Sequence, residues 1–145
     1  MTVLTGAVTV ERSPQYLYVD SSSLIRVALG DHDASALHRI IVAAGRNGAT
    51  LVSSRLLELE ARRTSIRLAS EGLDPSPIEA WVDATTLVPI DDDVWRGAMR
   101  IRSHVKTLDS LHLSTASLVP DCMMLTSDQN MKQVATTLGI EVIDA

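Results

Sequence analysis

Residues 16–27 read YLYVDSSSLIRV, and the fold turns on this stretch. Tyr16, Leu17, Tyr18 and Val19 run straight into Asp20; three serines follow, then an apolar-periodic segment. A short apolar run bounded by polar residues predicts a buried parallel strand. The serines after it offer N-caps to a following helix. Asp20 is thereby placed at the carboxyl end of a strand, where open α/β sheets form their ligand crevice.

Working outward, strand and helix signals alternate. Residues 1–15 read as a short extension, with Pro14 as the last breaker, and residues 16–145 as one domain. Helices are expected at 24–29, stopped by Gly30, and at 32–46, closing at Asn47–Gly48. A strand at 50–52 leads into a long helix, 55–70, capped by Ser53 or Ser54. A short helix carries Trp81, and a strand covers 87–90. Asp91, Asp92 and Asp93 open a helix whose apolar side is Val94, Trp95, Ala98, Met99 and Ile101. A helix at 109–118, a strand at 122–125, a helix at 129–138 and a strand at 141–143 complete the chain. This alternation predicts a three-layer α/β/α fold with a mainly parallel central sheet.

A domain of 145 residues buries roughly 70% of its unfolded surface and needs no disulfide. Cys122 is the only cysteine, which excludes an intrachain disulfide and a cysteine-rich zinc site. The net charge of −5, from 13 Lys and Arg against 18 Asp and Glu, argues against wrapping nucleic acid by bulk charge. The same imbalance is expected where carboxylates converge on a cation. Two Trp, two Tyr and no Phe argue against binding through a base-stacking platform. The N-terminus has no basic start or sustained apolar region, and no run approaches a membrane span, so a cytoplasmic protein is expected.

Four acids resist a surface explanation as a set. Glu58 has Arg62 four residues on, the spacing of a solvated helix ion pair. Glu60 instead follows Leu56 by four residues and Leu57 by three, so it shares their apolar stripe and must find a partner. Asp109, taken alone, reads as a cap or first-turn acid, and Asp128 as a cap. Asp91, Asp92 and Asp93 stay with capping. In a parallel sheet with right-handed crossovers, strand C-termini and helix N-termini share one rim, which directs Asp20, Glu60, Asp109 and Asp128 to the same place. Clustered carboxylates repel unless a cation intervenes. An all-oxygen set suits Mg²⁺ or Mn²⁺, an ion able to activate water and neutralise a phosphodiester.

The segments YVDSSSLIR, SSRLLELEARR, TLDSLHLSTA and LTSDQN resemble, in order and approximate spacing, the four acidic motifs of PIN-domain nucleases, most closely the VapC toxin branch of toxin–antitoxin pairs. The resemblance covers residues 16–143. It implies an acidic Mg²⁺ site of Asp20, Glu60, Asp109 and Asp128, with Asp20 and Asp109 as direct ligands and Asp128 as an outer or second-metal acid. It matches Ser22 and Thr126 to hydroxyl residues that orient these acids. It implies an endoribonuclease acting on RNA such as tRNA or ribosomal RNA, silenced by a small antitoxin and assembled as a homodimer. Arg26 and Arg55 are the nearest candidates for gripping phosphate. His112, one turn after Asp109, is read as a packed, hydrogen-bonded histidine rather than a general base.

Three rival readings remain. A haloacid-dehalogenase-type phosphatase needs a second aspartate two after Asp20, where Ser22 stands. A non-catalytic PIN-like scaffold has no need of four acids. A PIN nuclease of RNA processing, outside toxin–antitoxin pairs, shares every feature of the site.

Overall fold

The apolar run at the head of the opening stretch forms a strand that is covered on both faces. In the computed structural model, which describes residues 2–5, 8–11 and 13–144, this strand is β3 (Tyr16–Val19). It joins β4 (Thr50–Ser54), β5 (Thr86–Val88), β6 (Cys122–Leu125) and β7 (Glu141–Ile143) in one parallel array. β1 (Thr2–Thr5) and β2 (Val8–Glu11) form a hairpin that pairs antiparallel with β7. The described residues thus give a seven-stranded sheet in the order β2-β1-β7-β6-β3-β4-β5. The expected extension over 1–15 therefore carries two strands of the sheet, apart from residues 1, 6, 7 and 12, which lie outside the described residues.

Alternation along the strands builds two cores. Leu17, Val19, Met123, Leu125 and Ile143 face one side, against α1 (Ser21–Ala28), α2 (Ser35–Arg46), α3 (Leu56–Ser70) and α4 (Ser76–Asp83). Tyr18, Val52, Met124 and Val142 face the other, against α6 (Thr107–Leu118) and α7 (Gln129–Thr137). α5 (Asp92–Arg100) joins this second layer through Val94, which packs with Leu56 and Leu111. The architecture is three-layer α/β/α with a mainly parallel sheet. Among the described residues, no helix is long and apolar enough to cross a membrane.

Several elements differ from the sequence reading, each for a local reason. α1 begins at Ser21, so Asp20 occupies the N-cap position and the serines form the first turn. The helix expected over 32–46 is divided: Asp31 accepts a hydrogen bond from the Asp33 backbone nitrogen and starts a 3₁₀ turn, His32–Ala34, ahead of α2. Ser54 accepts from the Leu56 nitrogen at 3.0 Å as a helix-starting hydroxyl, whereas Ser53 donates to the Val19 carbonyl at 2.6 Å. Asp91 caps α5 as expected. Trp95 and Met99, expected on its apolar side, are 57% and 75% exposed.

Candidate functional site

The topology concentrates the predicted acids at one place. From β3 the chain moves to β4 on one side, and from β6 to β7 on the other, so the winding reverses between β3 and β6. Open sheets have their crevice outside the strand carboxyl ends at such a point. Val19 and Leu125 are in register there, so Asp20 follows one and Thr126, Ser127 and Asp128 the other. α3 leaves the carboxyl end of β4 with Glu60 in its second turn. Only residues 119–121 separate α6 from β6. α6 therefore runs antiparallel to that strand, which brings its first turn, with Asp109, to the same edge.

Asp20 is the deepest of the four, at 2% exposure. Its carboxylate makes no cap hydrogen bond to the backbone of the helix it precedes. Oδ2 accepts from the Ser22 hydroxyl at 2.8 Å. Oδ1 is buried with no hydrogen-bond partner. A buried carboxylate oxygen normally finds a donor, because leaving it unpaired is costly.

Glu60 and Asp109 are half-buried, and their charges interact with that of Asp20. Burial pushes the Glu60 carboxyl above its ordinary range, a hydrogen bond from the Ser21 side chain opposes the rise, and Asp20 and Asp109 add to it. Burial likewise raises Asp109, with Asp128 and Asp20 reinforcing the shift and Lys106 opposing it. Asp128 caps α7, its Oδ1 accepting from the Met131 nitrogen at 2.9 Å. Thr126, fully buried, accepts from the Asp128 backbone nitrogen at 3.1 Å and so shapes the loop that presents this acid.

Three further residues complete the site and were not among its predicted members. Ser21, directly after Asp20, has its hydroxyl 2.9 Å from His112 Nε2, and its backbone nitrogen donates to the same atom at 3.4 Å. His112, 2% exposed, has its Nδ1 at 2.6 Å from the Tyr18 hydroxyl. Burial pushes the imidazole down, against the pull of the Asp20 charge. Burial, then Asp20, push the Tyr18 hydroxyl well above the usual tyrosine range, against hydrogen bonds with Ser53 and Thr115. The available signals were spacing alone: Ser21 adjoins Asp20, and His112 lies one turn beyond Asp109.

Arg26 and Arg55 pair with acids outside the set of four. Arg26 donates to Asp31 at 3.0 Å and to the Ser127 hydroxyl at 3.1 Å, which places it beside the Asp128 loop. Ser127 is also bonded to Ser23, tying α1 to the same loop. Arg55 is exposed and paired at 3.8 Å with Glu58, whose ion pair is thus with Arg55 rather than the expected Arg62. Arg55 opens a groove of about 800 Å³ between α3 and α4, with Leu59, Ile78 and Val82 in its wall.

Among the described residues, the side chains as placed form no ready-made group of three His, Cys, Asp or Glu donors for a metal ion. The chemistry of the donor set nevertheless fits a hard divalent cation. All four candidates offer oxygen, Asp20 carries an orphaned carboxylate atom, and neighbouring acids add to the rise of Glu60 and Asp109. A family model described as the PIN domain matches residues 17–136. No curated protein matches the chain.

Proposed function

The chain belongs to the PIN-domain family, in general a family of nucleases, and from that premise we propose that it is a divalent-metal-dependent endoribonuclease and the toxin of a toxin–antitoxin pair. The observation that carries this reading is the Asp20 carboxylate. It is buried, left with one unpartnered oxygen, and set against two other acids at the sheet's switch point. Such an arrangement is unfavourable by itself and becomes favourable around a cation.

Asp20 and Asp109 would hold Mg²⁺ or Mn²⁺ with Glu60, and Asp128 would stand at its edge. When bound, the ion supplies neutralisation of the phosphodiester charge and acidification of a water. The chain's own residues do the rest. Ser22 fixes the Asp20 carboxylate by donating to Oδ2, and Thr126 fixes the approach to Asp128. Arg26, beside the Asp128 loop, is positioned for an RNA phosphate once it exchanges Asp31 for the substrate. His112 is buried and engaged at both ring nitrogens, which argues against its serving as the general base.

Two surfaces support the partners in this reading. The groove along α3 adjoins the helix that carries Glu60, so an antitoxin segment seated there would lie next to the acids. The exposed Trp95 and Met99 on α5 offer an apolar surface for a second copy of the chain.

The test is cleavage of RNA by the purified chain in Mg²⁺ or Mn²⁺, with chelator and Asp20→Asn as controls. Metal-dependent cleavage lost in both controls supports the enzyme. No cleavage, or cleavage indifferent to Asp20, overturns it. Cleavage without growth arrest on expression would leave a PIN nuclease and remove the toxin role.

A further inference from the structure

The start of α1 is anchored by a side chain from another helix. The first N–H groups of a helix have no partner within it, and an aspartate at the N-cap ordinarily accepts from one of them. Asp31, Asp91 and Asp128 each stand at such a position and accept a backbone N–H of the turn they precede. Asp20 holds the same position at α1 and, among the described residues, is the one N-cap aspartate that makes no such bond. The Ser21 backbone N–H instead donates to His112 Nε2 at 3.4 Å, with the Ser21 hydroxyl 2.9 Å from the same atom. His112 belongs to α6, one turn after Asp109.

The backbone donor fixes the state of the ring. An amide N–H can only donate, and a neutral imidazole has a single acceptor nitrogen, so Nε2 is that acceptor and the ring hydrogen sits on Nδ1. Nδ1–H then donates to the Tyr18 hydroxyl at 2.6 Å. Tyr18 packs edge-on against the imidazole with ring centroids 5.9 Å apart, and both side chains are buried. One ring therefore grips the chain on either side of Asp20, through Tyr18 of β3 before it and Ser21 of α1 after it. Three elements are joined around the residue that carries the orphaned carboxylate oxygen.

Resting on the metal-site reading above, we propose that His112 is a positioning residue that anchors the chain around Asp20 to α6 and so fixes the Asp20 carboxylate against that of Asp109. The two acids lie on different elements, and Asp20 is near enough to raise Asp109. The long stretch of chain between them does not set their spacing; a buried contact between their elements does. The anchor also frees the carboxylate. Asp128 commits Oδ1 to the Met131 nitrogen of the helix it caps. With the entry to α1 held by the imidazole, Asp20 has only the Ser22 hydroxyl on Oδ2 and keeps Oδ1 open to a cation.

The experiment measures Mn²⁺ affinity by calorimetry, and kcat and KM on RNA, for His112→Gln, His112→Asn and Tyr18→Phe, with circular dichroism melts in EDTA to check the fold. Gln carries an acceptor oxygen to the reach of Nε2, whereas Asn reaches only as far as Nδ1. His112→Asn should lose roughly 10–100-fold in Mn²⁺ affinity, with kcat falling at fixed Mn²⁺ and KM for RNA little changed. His112→Gln should recover most of that loss. A histidine that merely supports the core would lower the melting temperature and leave the Mn²⁺ affinity of the folded protein alone. Nitrogen NMR should show the wild-type ring protonated at Nδ1 and bare at Nε2, and Tyr18→Phe should erode that preference and weaken Mn²⁺ binding. Should the His112 variants fail to fold, Tyr18→Phe, which removes one hydroxyl, still decides the matter. Wild-type Mn²⁺ affinity in folded His112→Asn or in Tyr18→Phe, or a wild-type ring protonated at Nε2, overturns the anchor while leaving the metal site standing. A wild-type protein that binds no Mn²⁺ overturns the metal site and the anchor with it.

Discussion

Replacing Asp20 by asparagine should change stability in opposite directions with and without metal. In the metal-free protein, Asp20 is a buried carboxylate with an unpartnered Oδ1, and its charge raises both Glu60 and Asp109. An unpaired buried acceptor costs about 1–3 kcal/mol, and more when charged. Asparagine keeps an oxygen for the Ser22 hydroxyl and removes the charge, but places an amide NH₂ where Oδ1 found no partner. Part of the penalty is therefore retained, and the net gain is about 1 kcal/mol. For 145 residues that raises Tm by about 3 °C.

Mg²⁺ reverses the order. At a hundred times Kd, the ion stabilises the wild type by about 2.7 kcal/mol, which is about 8 °C in Tm. Asp20→Asn, lacking the central ligand, should gain nothing. The variant is expected to melt about 3 °C above the wild type in EDTA and about 5 °C below it in Mg²⁺. Reversible melts followed by circular dichroism give both numbers from one preparation. A variant that melts below the wild type in EDTA would show that the Asp20 carboxylate is satisfied in the free protein. An equal Mg²⁺ response in both proteins would place the ion elsewhere.

The other predictions are narrower. Ser22→Ala removes the hydroxyl that donates to Asp20 Oδ2, and should weaken Mg²⁺ binding by roughly 10–100-fold in a titration; unchanged affinity would deny Ser22 its orienting role. Because Glu60 is raised, the fold holds a proton that the unfolded chain releases above about pH 4, so its contribution to stability falls as pH rises through the raised value. His112, pushed down by burial, works the other way and loses stability as pH drops below about 6.5. The difference between wild type and Glu60→Gln in EDTA isolates the first effect, and denaturant titrations should show the wild type losing ground as pH rises; parallel curves would refute it. Gly97→Ala places a Cβ against the Ser114 hydroxyl, which donates to the Val94 carbonyl. Overpacking there should exceed the helix-propensity gain and destabilise by about 1 kcal/mol in urea, whereas a more stable variant would show that α5 shifts freely over α6.

What could be read from the sequence follows the physics of burial. β3 and β6 are apolar runs covered on both faces, and their limits were legible because no exposed position interrupts them. The shared edge of the four acids was legible too, since it follows from connection handedness rather than from any side chain. The boundaries set by local hydrogen bonds were less so. The 3₁₀ turn at His32 depends on how Asp31 bonds Asp33, and β5 begins one residue early because its register is set by β4. Trp95 and Met99 have the right period for a buried face, yet α5 lies at the margin of its layer and buries only Val94 fully. β1 and β2 escaped because an antiparallel edge hairpin is specified by its pairing with β7 as much as by its own residues. The contact of His112 with Ser21 depends on how α6 crosses β3, which no spacing reports.

The disposition of the cations bears on why Asp20 is left with a bare oxygen. An arginine or lysine reaching into the site would satisfy Oδ1 and relieve Glu60 and Asp109 at once, and the fold would be more stable for it. The chain instead employs its nearest arginines elsewhere, Arg26 on Asp31 and Ser127, Arg55 on Glu58. Lys106 eases only Asp109, and less than burial, Asp128 and Asp20 strain it. The groups that bond these carboxylates are a hydroxyl and a backbone amide: Ser22 and the Met131 nitrogen. Neutral donors hold a carboxylate in place without cancelling its charge, so the field at the sheet's edge stays negative and available to an incoming cation. It follows that a Lys introduced within reach of Asp20, for example Ser22→Lys, should stabilise the metal-free fold if its stem is accommodated, and should weaken Mn²⁺ binding by charge as well as by loss of the Ser22 bond. A Ser22→Lys protein that bound Mn²⁺ as well as Ser22→Ala does would mean that the negative field is incidental to the site.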